Sequence, residues 1–81
     1  MINSEQIQQL LNAQKNNDFV TMLQIAETLL KIAPQNDFLL HSKAVALCRL
    51  NKIDNSIIAY ENAILNTISQ TEKLNLQLVI L

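Results

Sequence analysis

The 81 residues carry six basic and seven acidic side chains, three aromatics, one proline, one cysteine and no glycine, and nearly half of them are hydrophobic. That length supports one domain at most, and the lack of glycine and scarcity of aromatics suit packed helices better than hairpins, sandwiches or barrels, so an all-α fold is expected. A formal net charge of −1, with basic residues scattered from Lys15 to Lys73, excludes a surface built to neutralise a row of phosphates, and without glycine there is no glycine-rich phosphate loop.

About five helices are expected. The first spans about residues 4–16: Ile7, Leu10 and Leu11 fall at i, i+3 and i+4, and Asn3 with Gln6 has capping-box spacing. Asn16-Asn17-Asp18 breaks it. Asp18 then caps a second helix, about 19–33, whose Phe19, Met22, Leu23, Ala26, Leu29 and Leu30 form a broad apolar stripe ending before Pro34. A third follows Asn36 or Asp37 and runs to about Leu50, apolar nearly all round, as suits a helix covered on several sides. Asp54 is expected to cap a fourth over about 55–66, with Ile57, Ile58, Tyr60, Ala63 and Ile64 facing inward. The last segment, TEKLNLQLVIL, alternates as a strand would. Yet Ser69 and Glu72 form a capping box, Leu74, Leu78 and Leu81 share a helical face, and a lone strand would leave its backbone groups without partners, so the expectation is a separate fifth helix over 71–81.

Displacing the sequence by 34 residues against itself pairs Lys15 with Arg49, Asn17 with Asn51, Phe19 with Ile53, Leu23 with Ile57, Glu27 with Glu61 and Leu30 with Ile64. In the second copy, Leu40, Ala44 and Leu47 on one helix and Ser56, Tyr60 and Ala63 on the next set small residues beside large ones, as closely approaching helices require. The period and these places resemble the tetratricopeptide repeat. The first copy departs further, with Gln6 at the large apolar place and Leu10 at the small one, followed by Ala13, Met22, Ala26 and Leu29; Pro34 ends it as the family ends its repeat, whereas Ile68 holds that place in the second copy. The resemblance implies a right-handed α-α superhelix of antiparallel helical hairpins in a single domain over 1–81. Repeat 1 would cover about 3–36, repeat 2 about 37–70, and a partial third repeat or capping helix 71–81.

No catalytic chemistry is expected. Cys48 and His41 are the one nucleophile-and-base pair, but two helical turns hold their backbones about 10 Å apart. They can neither activate one another nor readily share a tetrahedral metal, and no second His or Cys completes a ligand set. Neither enzyme activity, metal nor cofactor is therefore expected. Cys48 reads as a small packing residue, His41 as a partly exposed one, Tyr60 as core, and Asp18, Asp37 and Asp54 as helix caps.

Binding has better support. In the resembled family the first helices of successive repeats line a concave groove that accepts an extended peptide or a partner helix. The resemblance places Ile7, Leu11 and Gln14 of the first helix and Phe38, His41, Val45, Cys48 and Arg49 of the third in that groove. Family members that clamp a terminal carboxylate use Lys and Asn at such places; Ile7, Leu11 and Ser42 do not match them, which implies an apolar segment or amphipathic helix as ligand. The alternative is that several of these residues are buried between helices or under the last segment.

The expected function is thus a protein-protein interaction module, an adaptor or small chaperone-like protein. Small bacterial secretion chaperones, including those that hold type III needle subunits, look similar; a second form is a non-catalytic regulatory repeat segment at the N-terminus of, or elsewhere in, a longer enzyme such as a glycosyltransferase. The apolar Leu78-Val79-Ile80-Leu81 is expected to dock under neighbouring helices, to be covered by another chain, or to belong to a longer protein, and the second of these adds self-association to the expected partners. Nucleic acid and membrane are not among them: MINSEQIQQLLN is unlike a secretory signal, and no stretch approaches the roughly 20 apolar residues that span a bilayer. A cytoplasmic address is expected, and the single cysteine agrees with a reducing compartment.

Overall fold

Four helices account for the described residues: α1 (Ser4–Lys15), α2 (Phe19–Leu30), α3 (Asp37–Arg49) and α4 (Ile53–Ile80). In this computed structural model the backbone is described for residues 3–80 and the side chains for residues 3–69, and no strand occurs within that range.

The first three helices start where the sequence supplies an acceptor. The Asn3 side chain accepts from the Gln6 N–H at 2.9 Å while Gln6 Oε1 accepts from the Asn3 N–H at 3.0 Å, a reciprocal box that satisfies two otherwise orphaned donors. Asp18 accepts from the Thr21 N–H at 3.3 Å, and Asn36, rather than Asp37, caps α3 by accepting from the Leu39 N–H at 3.1 Å. The expectation for Asp54 is corrected: α4 begins at Ile53 and Asp54 lies within its first turn, where its charge faces the positive end of the helix dipole.

The turns after α1 and α3 are the same turn. Asn17 and Asn51, 34 residues apart, are the two residues with positive φ among those described, at 58° and 65°. In the first turn the Asn17 N–H donates to Gln14 O at 3.1 Å and the Asp18 N–H to Ala13 O at 2.8 Å. The second repeats this, with Asn51 donating to Cys48 O at 3.1 Å and Lys52 to Leu47 O at 2.9 Å. Each pair closes the last carbonyls of a helix around one left-handed residue. Asparagine serves because its short polar side chain tolerates that conformation better than others do, in a chain with no glycine to take the position.

The expected fifth helix is not separate, because α4 runs unbroken for 28 residues through the segment where a break was anticipated. Pro34 stands just beyond the end of α2, but its counterpart Ile68 has an N–H to donate, and no other residue of α4 is a proline or glycine. The Thr67 hydroxyl donates back to Ala63 O at 3.1 Å within the helix. Ser69 and Glu72 therefore sit inside a continuing helix instead of opening a new one. The expected docking of Leu78 to Leu81 concerns side chains outside the described residues.

Consecutive helices pack in order, α1 on α2, α2 on α3 and α3 on α4, with no close backbone approach between non-consecutive helices among the described residues. Antiparallel pairing is visible in where side chains meet. Near the α3–α4 turn the buried Ser56 hydroxyl donates to Ala44 O at 3.1 Å. At the far end the Asn66 amide donates to Gln35 O at 2.8 Å and to the Asp37 carboxylate. The main core joins three helices through Leu10, Ala13, Met22, Ala26, Leu29, Leu39 and Ala46, and a smaller cluster of Ala44, Leu47 and Ala59 seals α3 to α4. A 28-residue helix is about 42 Å long, which sets the longest extent, 46 Å, and a radius of gyration of 14.3 Å, above the ~12 Å usual for a globule of this length.

Candidate functional site

The two hairpins share a turn and a register, so each position can be compared with its mate 34 residues away. Along α2, Phe19, Leu23 and Leu30 are half-buried and Ala26 is buried, because α3 lies against them. Their mates on α4 are Ile53, Ile57, Ile64 and Tyr60. Of these only Tyr60 is half-buried, while Ile53, Ile57 and Ile64 are 47%, 51% and 57% exposed. Ile68, at the place of Pro34, is exposed too. Residues 53, 57, 60, 64 and 68 fall at i, i+4, i+7, i+11 and i+15, one narrow stripe of the helix.

The inward placement expected of Ile57, Ile58 and Ile64 is therefore corrected: all three are exposed, and among the described side chains of α4 the buried ones are Ser56 and Ala59. The apolar pattern marks a face ready for burial, and no helix of the chain lies over it among the described residues. Half-exposed isoleucines leave about half of their ~1.5–3 kcal/mol of burial unrealised, so Ile53, Ile57, Ile64 and Ile68 together withhold ~3–6 kcal/mol. That is comparable with the ~4–12 kcal/mol that holds a chain of this length folded. A contiguous stripe of this weight differs from the scattered surface apolar residues that need no explanation.

Where the stripe meets α3 it opens into a shallow groove of ≈ 450 Å³ lined by Asp37, His41, Tyr60, Ala63, Ile64, Thr67 and Ile68. The His41 ring stands edge-on to Tyr60, centroids 5.8 Å apart, and forms one wall.

At the other end of the pile the chain is finished differently. On α3 the residues turned to α2 include Leu39, Ser42 and Ala46, all buried, with Lys43 half-buried beside them. Their mates on α1 are Glu5, Gln8, Asn12 and Gln9, polar and exposed, and the Gln8 amide donates to the Asn12 side chain at 3.1 Å. The outer side of α1 is a solvated end; the outer side of α4 is an apolar one.

The eight residues assigned to a concave groove divide. Leu11, Gln14, Phe38, His41, Cys48 and Arg49 are exposed, whereas Ile7 and Val45 are half-buried and pack against the main core. The Arg49 guanidinium lies 5.9 Å from the Phe19 ring centroid, which ties the end of α3 to the start of α2. Phe38 keeps 41% of its surface exposed and precedes Leu39, the fully buried residue of that turn. Cys48 is corrected from a packing residue to an exposed free thiol. His41 is the one groove residue from the sequence that also borders the α3–α4 groove. Residues 53, 64 and 68 are not among those eight; their exposure becomes legible only from the packing, in which no helix among the described residues lies over them.

Among the described residues no three His, Cys, Asp or Glu side chains converge on a common point. No helix in that range is long and apolar enough to cross a membrane. No protein-family model, curated protein or solved structure matches the chain.

Proposed function

We propose that the chain is a protein-protein interaction module of the tetratricopeptide type that takes an apolar peptide or amphipathic helix. The observation that carries this is the unequal finish of its two ends: the same 34-residue unit is closed by amides and a carboxylate on α1 and left apolar on α4. A helical pile with one apolar end is built to receive a further element. The repeated asparagine turn and the packing of consecutive helices support the repeat reading. The exposed Phe38 and the His41–Tyr60 wall supply aromatic anchors of the kind that dominate binding energy at interfaces.

Affinity capture with the full chain, run beside Phe38→Glu and Ile64→Glu, tests the proposal. Both positions are exposed, so helicity by circular dichroism should be unchanged while the captured protein is lost from at least one variant. Val45 is unsuitable for this purpose, since it packs against the core. A protein retained equally by the parent and both variants would contradict the proposal.

A further inference from the structure

The way α3 sits on α2 specifies what the bare face of α4 should accept. That interface is built from Leu39, Ser42 and Ala46, a large residue followed by small ones at i+3 and i+7, and from Lys43 at i+4. Lys43 shares a groove with Glu27 of α2 and with Lys52. The mate of Glu27 is Glu61, exposed on α4 beside the isoleucine stripe, with Asp54 on the same edge two turns earlier. The α4 face thus repeats both features of the α2 face: an apolar stripe and an acidic edge.

We propose that this face docks an amphipathic helix of a partner protein, apolar and small-residue-rich along one stripe and carrying a lysine or arginine on the edge that meets Glu61. The inference rests on reading the chain as an interaction module and adds the site and the partner's chemistry. A second copy fits worse in the two arrangements considered, stacked head to tail or paired antiparallel through α4. Stacked head to tail, it would offer α1, which has Glu5, Gln8 and Asn12 where the docked helix needs apolar or small residues and Gln9 where it needs a cation. Paired antiparallel through α4 about a two-fold axis, the copies would bring both acidic edges to the same side of the seam, like charge beside like.

A synthetic peptide with the sequence of residues 37–50, Cys48 replaced by Ser, presents the required stripe and cation and serves as the probe. Fluorescence anisotropy with the full chain should show saturable binding, weakened at least tenfold by Ile57→Glu or Ile64→Glu, both at exposed positions. Glu61→Lys should weaken the peptide several-fold, and a peptide carrying Lys43→Glu should recover the loss on that variant alone. Equal binding to the parent and Ile64→Glu would mean that the peptide displaces α3 instead of occupying α4, and would overturn the inference. So would no binding at millimolar peptide, or a dimer in sedimentation that Ile64→Glu dissolves and that excludes the peptide. If the peptide fails while Phe38→Glu still loses a captured protein, the interaction role stands and the α4 site falls.

Discussion

Replacing Leu39 and Leu40 one at a time by alanine tests how α3 is rotated in the pile. Leu39 is 0% exposed and joins the core shared by α1, α2 and α3, whereas Leu40 is only half-buried. Leu39→Ala removes three carbons, about 2.4 kcal/mol at ~0.8 kcal/mol each, and a residual cavity adds to this at ~24 cal/mol per Å3, for a total of about 3–5 kcal/mol. Leu40→Ala should cost about half as much, its side chain being partly in water already. With a urea slope of roughly 1 kcal/mol/M for so small a chain, the midpoint falls by about 3–5 M for Leu39→Ala and by about half that for Leu40→Ala. If the parent lies near the low end of ~4–12 kcal/mol, Leu39→Ala is unfolded without denaturant while Leu40→Ala keeps a measurable transition. Equal losses, or a larger one at Leu40, would mean that α3 turns a different side to α2 and would undo the register comparison built on it.

Asn17→Gly and Asn51→Gly should leave the melting temperature unchanged or slightly raised, while valine at either place should cost about 1–2 kcal/mol, because a β-branched residue resists positive φ; clearly unequal effects at the two sites would show that the turns are not equivalent. Ser56→Val, in the close contact of α3 with α4, should destabilise by about 1–3 kcal/mol through overpacking, with Ser56→Ala much milder, and urea titration separates the two. Asn66→Ala removes the tie from α4 to Gln35 and Asp37 and should cost about 1 kcal/mol, with faster amide exchange around residues 35–37; unchanged exchange there would remove Asn66 from the role of a latch.

Much of this fold is legible in the chain because its signals are local. Asn3, Asp18 and Asn36 are short polar acceptors just ahead of apolar runs, and each caps the helix that follows. The stripe of α2 is read correctly because every residue in it has a neighbour to bury against. The same reasoning fails on α4, where Ile57 and Ile64 carry an equally apolar pattern but no helix among the described residues lies over them. Periodicity reports which face can be buried, and only packing decides whether it is. The anticipated break before Ser69 fails for a related reason. A capping box opens a helix only where the preceding chain has stopped being helical, and with Ile68 in the place of Pro34 nothing stops it. The tie from Asn66 to the α2–α3 connection spans about 30 residues and leaves no local trace. Cys48 was expected to pack because α3 is apolar nearly all round, yet α2 and α4 together leave its side uncovered.

Chemical-shift mapping of the full chain, titrated with the peptide of residues 37–50, addresses the docking face most directly. The expected result is a set of perturbed amides concentrated between Ile53 and Ile68 on α4, with the amides of α1 unmoved. Shifts concentrated in α2 and α3, or spread evenly over all four helices, would contradict the claim that the bare side of α4 is where this protein receives a partner.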